Sequence, residues 1–238
     1  MVRQPSDLRQ TFLPVAAAYD RWAPGYDSYD NPLLFAAGRV IELWAGAVAG
    51  ASVVELGCGT GRNLVRLGQA GAARLIGCDL SAGMLAQARA RDPALLLVRH
   101  DITAPLPLRD GIADLVLFCL ALEHVGALAG PLGEARRLLR PSGRVAVIEI
   151  HPFLAQGDVQ AHFRDGAELV RMPTFAHRFA DYLTAAAAAG LTVAGCREWR
   201  PRDFDGTPPP KLFKRGPDQP VLVDFTLVAA APLPGEQG

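Results

Sequence analysis

The chain has 238 residues, half of them apolar, and its 24 basic side chains balance 24 acidic ones. That length and apolar content predict one α/β domain, residues 1–238, with a full core, and zero net charge leaves no global basic field to gather nucleic acid. The four cysteines, at 58, 78, 119 and 196, stand singly with no Cys-x-x-Cys pair, which predicts small buried thiols and no structural metal or disulfide.

In chain order, the first ten residues mix Arg3, Asp7 and Arg9 with polar side chains and lack the apolar stretch of a secretory signal. The longest apolar run, residues 115–122, is the length of one buried strand and its exit rather than of a membrane span. A soluble, cytoplasmic protein is expected. Asn31-Pro32 reads as a helix start, with Asn as cap and Pro in the first helical position, and the apolar residues after it carry the helix to about residue 49. Residues 53–56 are a buried-strand run that leads into glycines at 57, 59 and 61. Glycines so spaced let the backbone turn sharply from strand to helix and leave no Cβ to hold a ligand off the main chain, so a small-molecule cofactor is expected there. A dinucleotide fingerprint starting at Gly57 needs a small residue at its sixth position. Arg62 stands there, which disfavours a nicotinamide-dependent oxidoreductase.

A second apolar strand, residues 75–78, ends in Asp79, eighteen positions after Gly61. That is close to the interval of about 20 residues at which a ribose-binding acid follows such a turn. A carboxylate at this strand tip can accept from both ribose hydroxyls. Ser81 is a good cap for a helix over 82–90, which leaves Asp79 free for ligand. A third strand, 95–99, leads to Asp101-Ile102, where Asp101 taken alone is equally a turn residue. Further strands are predicted at 113–120 and 143–150, with helices at 63–70 and 131–139. An alanine-rich helix ends at Gly190, and strands follow at 191–199 and 221–230. The alternation and the crossover lengths predict a doubly wound sheet.

The segment Glu55-x-Gly57-x-Gly59-x-Gly61, with Asp79, Asp101 and the strand ends that follow, resembles the class I S-adenosylmethionine-dependent methyltransferases over residues 15–150. The resemblance implies a Rossmann-like α/β fold, a doubly wound seven-stranded sheet in the order 3-2-1-4-5-7-6 with strand 7 antiparallel and helices on both faces. Tyr19-Asp20-x-x-Ala23-x-x-Tyr26-Asp27 is similar to an element of the ubiquinone-biosynthesis-like small-molecule methyltransferases that helps to cover the cofactor. By the same resemblance, residues 1–50 form an N-terminal helical cover, and residues 151–182, with His151, His162, Phe163, His177 and Tyr182, form a substrate lid. The implied cofactor is S-adenosyl-L-methionine. Its implied contacts are Tyr19, Tyr26, Glu55, Gly57, Cys58, Gly59 and Gly61, then Asp79, Leu80, Met84, Asp101, Ile102 and Leu120.

A sulfonium methyl group is already activated, so the protein's main task is to align the nucleophile, an effect of about 7–11 kcal/mol. A general base adds roughly 10²- to 10⁴-fold where the acceptor must lose a proton. His124, after the fourth strand, is the first candidate for that base and His151, after the fifth, the second; each is equally readable as a structural histidine. Phe118-Cys119-Leu120-Ala121 is not the Asn/Asp-Pro-Pro-Tyr/Phe tetrad of enzymes that methylate nucleic-acid bases. A small, partly apolar acceptor is expected, with O, N and C nucleophiles open, no nucleic-acid or membrane partner, and a monomer or homodimer. The alternatives are an S-adenosylmethionine-binding protein that does not methylate, the disfavoured oxidoreductase, and a non-enzymatic protein with a decayed pocket.

Overall fold

Strand runs and amphipathic helices alternate along most of the chain, and the computed structural model shows how they pack. It describes residues 9–157 and 161–231; the signal-sequence reading of residues 1–8 and the lid positions 158–160 lie outside the described residues. The elements are β1 (Arg9–Phe12), α1 (Val15–Trp22), α2 (Pro32–Trp44), β2 (Ser52–Leu56), α3 (Arg62–Gln69), β3 (Arg74–Asp79), α4 (Ala82–Arg91) and β4 (Leu96–Arg99). They continue with β5 (Ala113–Cys119), α5 (Ala129–Leu138), β6 (Leu139–Ile150), α6 (Pro152–Ala155), β7 (His162–Asp165), β8 (Glu168–Arg171), α7 (Phe179–Ala188), β9 (Leu191–Trp199) and β10 (Leu222–Ala229).

Seven strands form one sheet in the order β4-β3-β2-β5-β6-β10-β9, with β10 antiparallel to both of its neighbours. Counted within this sheet alone, the order is 3-2-1-4-5-7-6, the Rossmann-like arrangement expected from the sequence. All five residues of β2 are buried, as a central parallel strand covered on both faces requires. Strand pleating divides the apolar residues between two cores. Val54, Leu56, Val116, Phe118, Val145 and Val147 pack with Leu132, Ala135 and Leu138 of α5 and with Tyr182 and Ala186 of α7. Val53, Leu115, Leu117, Ala146 and Ile148 pack on the other face with Val40 and Ile41 of α2 and with Leu64 and Leu67 of α3.

The helix starts follow their caps. Asn31 Oδ1 accepts from the Leu33 amide at 2.9 Å and Ser81 Oγ from the Met84 amide at 3.0 Å, each cap contributing about 1 kcal/mol. Helix α2 ends at Trp44 and tightens into a 3₁₀ turn over Ala45–Ala47, short of the expected residue 49, because Gly46 weakens helical continuation. Cys196 is exposed on the edge strand β9, unlike the buried Cys58, Cys78 and Cys119.

The N-terminal cover is not purely helical. Strand β1 pairs in parallel with β8, and β8 antiparallel with β7, in a separate three-stranded sheet. Helix α1 rests on this sheet: Trp22 stacks on Phe163 with centroids 4.7 Å apart, and Ala18, Val170 and Met172 complete the small core. Arg21 reaches Asp165 at 2.6 Å and Glu168 at 2.9 Å. The two distant segments expected to form the cover and the lid therefore meet in one structure. Among the described residues no helix is long and apolar enough to cross a membrane.

Candidate functional site

A cavity of about 400 Å³ opens at the carboxyl ends of β2, β3, β4 and β5, beneath α1 and the segment after β8. Ligands of open α/β sheets bind in this position. Of the residues expected to meet a cofactor, Tyr19, Tyr26, Glu55, Gly57, Cys58, Gly59, Asp79, Leu80, Met84, Asp101, Ile102 and Leu120 all line it, and so does His124. Gly61 and His151 do not.

The glycine turn is held from behind, since the amides of Gly57 and Cys58 both donate to the Cys78 carbonyl at 2.8 and 3.0 Å. Gly57, Gly59 and Gly61 have φ of 80°, 52° and 69°, a region that side chains other than glycine's disfavour. Their environments differ. A Cβ on Gly59 would meet no atom of the described residues within 4 Å and so would stand over the cavity, whereas one on Gly61 would lie 2.9 Å from Leu95 Cδ1 and 3.0 Å from Ala88 Cβ. Gly61 thus lets the turn pack closely against α4 and the residue before β4, one residue before Arg62, whose guanidinium donates to the Leu34 carbonyl at 3.0 Å. Gly59→Ala is expected to fold at a cost of roughly 1–2 kcal/mol of backbone strain while weakening ligand binding. Gly61→Ala should add an overpacking cost of about 1–3 kcal/mol. Thermal melting alongside ligand titration separates the two.

Glu55 is buried, and Asn63 Nδ2 donates to its Oε1 at 2.7 Å. Its Oε2 has no hydrogen-bond partner among the described residues. Burial pushes the carboxyl up to about 8, against the opposing influence of the Asn63 bond and of Arg62. At the tip of β3, Asp79 Oδ2 accepts from the Gly59 amide at 2.8 Å and Oδ1 from the Ser81 amide at 2.9 Å. Ser81 does cap α4, yet Asp79 is not wholly free: it ties the glycine turn to the start of α4 and keeps its remaining lone pairs for a ligand. Burial raises its pKa. Asp101 is both a turn residue and part of the lining, with Oδ1 accepting from the amide and the hydroxyl of Thr103. Leu120 is the one non-glycine residue with positive φ among those described, at 54°. A bulky side chain in that region stores about 1–3 kcal/mol of strain, which the surroundings must over-determine; here the Leu120 amide is bound to the Ile148 carbonyl at 2.9 Å.

S-adenosylmethionine fits this arrangement. Asp79 offers acceptor lone pairs for ribose hydroxyls, Ile102, Leu80 and Met84 offer apolar surface, and the open face of Gly59 admits close approach. Glu55, with its orphaned buried oxygen, is suited to a cationic ligand.

On the acceptor side, His124 Nδ1 lies 2.8 Å from the Pro173 carbonyl and Nε2 lies 2.8 Å from Tyr19 Oη. A carbonyl only accepts, so Nδ1 carries the proton; burial lowers the imidazole pKa and keeps the ring neutral, so Nε2 accepts from the Tyr19 hydroxyl. His151 has another role. Its Nδ1 accepts from the Phe153 amide at 3.2 Å, capping α6, and its Nε2 lies 2.8 Å from Glu198 Oε1. Both ring nitrogens serve the fold, and the side chain is turned away from the cavity. His151→Ala is expected to cost about 1 kcal/mol in the lost cap and to leave turnover intact, which melting and rate measurements on one preparation would check.

Sequence reasoning missed the roof residues Pro14, Val15, Ala16 and Pro173, and His100. His162, expected in the lid, is on β7 of the small sheet, and His177 Nε2 bonds to the Val125 carbonyl at 2.8 Å. Neither lines the cavity.

Residues 54–147 match the family described as Methyltransferase domain. A demethylmenaquinone methyltransferase from Beutenbergia cavernae is 34% identical over 142 residues, covering 57% of this chain and 57% of the relative. A 2-phytyl-1,4-naphtoquinone methyltransferase from Trichormus variabilis is 29% identical over 149 residues, covering 58% of this chain and 65% of the relative. The matched region is thus less than two thirds of either relative. The crystal structure of an S-adenosylmethionine-dependent methyltransferase from Mesorhizobium loti has the same fold, with a TM-score of 0.65 at 24% identity over 79% of this chain and 95% of that one.

Proposed function

We propose that the chain is a class I S-adenosylmethionine-dependent methyltransferase that transfers the cofactor's methyl group to a small, uncharged acceptor, releasing S-adenosylhomocysteine. The observation that carries this reading is the convergence of Glu55, Gly59, Asp79 and His124 on a single cavity. When bound, the cofactor supplies a methyl group on a sulfonium, which needs no further activation. The protein's own residues do the rest. Asp79 fixes the ribose, Asp101 and Ile102 receive the base, and Glu55 and the glycine turn hold the amino-acid end. Residues 1–238 act as one domain in this reading, with the small sheet and α1 excluding water above the reacting atoms.

The acceptor meets Val15, Ala16, Val125 and Pro173, with Tyr19 and His124 as the polar groups among them. Walls of that kind suit a flat apolar ring that carries one ionisable position. A quinol-type acceptor is the proposed class, in keeping with the names of the two curated relatives. Incubation with S-adenosylmethionine and a panel of reduced naphthoquinones, phenols and amines tests this, with S-adenosylhomocysteine and methylated product both quantified. Methylation of a naphthoquinol or phenol is expected. Cofactor binding without release of S-adenosylhomocysteine against any acceptor would instead favour a non-methylating use of the same site.

A further inference from the structure

The hydrogen bond between Tyr19 and His124 joins elements that only the tertiary fold brings together. Tyr19 is on α1, His124 is in the turn after β5, and Pro173, which fixes the histidine's tautomer, is in the segment after β8. The rings meet edge to face with centroids 5.3 Å apart. Both line the cavity, but the lone pair of His124 Nε2 is already occupied by the tyrosine hydroxyl. A histidine so engaged cannot take a proton from an acceptor directly unless that bond breaks. The hydroxyl oxygen of Tyr19, by contrast, keeps lone pairs for a second partner.

We infer that Tyr19 is the residue that touches the acceptor's departing proton, and that it works as a shuttle whose terminal base is His124. This rests on the methyl-transfer reading above. The acceptor's proton passes to Tyr19 Oη as the phenol's own proton passes to His124 Nε2. The electron pair left on the acceptor forms the bond to the methyl carbon, and the pair of the broken carbon–sulfur bond stays on sulfur. Every proton and electron pair is then placed, and tyrosine ends neutral. The single positive charge has moved from sulfur to the imidazole.

The surroundings fit that charge movement. Glu123 Oε1 is 3.9 Å from His124 Nε2, and the two side chains are only 14% and 8% exposed. The titratable groups that act on Tyr19 are Tyr26 on the turn after α1, Glu123, Asp79 and Glu149. Together with burial, these groups raise the Tyr19 pKa well above its ordinary value, which disfavours a resting phenolate. A neutral hydroxyl that passes one proton on as it receives another avoids that state.

The decisive experiment pairs a spectroscopic and a kinetic measurement on the full chain. With the protein labelled at histidine nitrogens, free and bound to S-adenosylhomocysteine, His124 is expected to show an unprotonated, hydrogen-bonded Nε2 and a protonated Nδ1. Tyr19→Phe should shift the Nε2 resonance toward that of an unbonded nitrogen and leave Nδ1 in place. With a reduced naphthoquinone as acceptor probe, Tyr19→Phe and His124→Gln should each lower kcat by about 10²-fold, and the double variant by no more than the worse single. The acid limb of the wild-type kcat profile should lie below the ordinary imidazole range and vanish in His124→Gln. A proton on Nε2, additive losses in the double variant, or an unimpaired Tyr19→Phe beside an active wild type would overturn the relay alone. Failure of the wild type to methylate any acceptor in the panel, with S-adenosylhomocysteine bound, would overturn the functional reading itself.

Discussion

Asp79→Ala is expected to lose measurable binding of both S-adenosylmethionine and S-adenosylhomocysteine. In the proposed binding mode the carboxylate accepts from two ribose hydroxyls, and hydrogen bonds to a charged group contribute about 1.5–3 kcal/mol each. Loss of both weakens binding by roughly 10²- to 10⁴-fold at about 1.4 kcal/mol per factor of ten. The same carboxylate accepts from the amides of Gly59 and Ser81, so alanine also frees the glycine turn to move. Asp79→Asn separates these contributions, because the amide keeps one acceptor oxygen and turns a donor toward one of the two backbone amides. Calorimetric titration should rank wild type above asparagine and asparagine above alanine, with no binding of reduced nicotinamide dinucleotide by any of them. Wild-type affinity in the alanine variant would show that the nucleotide lies elsewhere.

The second large effect is on stability. Glu55, Glu123 and Glu149 are all raised above the ordinary carboxyl range, in each case chiefly by burial. Glu123 and Glu149 also repel one another. A carboxyl whose folded pKa is raised contributes stability that is fully present below its unfolded pKa and is lost as the pH rises through its folded pKa. For Glu55 that window runs from the ordinary carboxyl value of 4.5 to about 8, and the loss across it is on the order of 4 kcal/mol. The ligand-free protein should therefore melt about 10 °C lower at pH 8.5 than near pH 5. Asp20, Asp114 and Glu134 have lowered pKa values and lose their contribution as the pH falls, which puts a floor under the optimum. Glu55→Gln should flatten the alkaline slope. S-adenosylmethionine should flatten it too, and its binding near pH 7 should release a proton, visible as a calorimetric enthalpy that changes with the ionisation enthalpy of the buffer. A slope unchanged in Glu55→Gln would remove Glu55 from the account.

The floor of the cavity was legible in the sequence because its parts are local. Strand, glycine turn and helix follow one another within residues 52–69, and the acids stand at or just past strand tips. The seven-stranded order followed from the resemblance together with the alternation. The roof was not legible. Strand β1 is four mostly exposed residues with no apolar period, and its partner Glu168 is found only through the fold. The bond between Tyr19 and His124 spans 105 positions, a distance at which no local pattern operates. His151 shows a different limit: its place after β6 was right, but backbone geometry turned its ring to cap α6 rather than to face the cavity.

The parallel pairing of β1 with β8 has a kinetic consequence. A chain synthesised from its N-terminus exposes residues 9–12 long before residues 168–171 exist, so the first strand made waits for one of the last completed. The cavity's ceiling is assembled after its floor, and closing so long a loop slows the search. Once formed, that small sheet and α1 hold on to the rest partly through polar contacts, Tyr19 with His124 and Asp20 with Ser81 and Gly83, and can open as a unit while the seven-stranded sheet stays folded. Amide hydrogens of residues 9–22 and 162–172 should then exchange together, faster than those of β2 and β5, and slow down when ligand is bound. Product release would draw on the same opening.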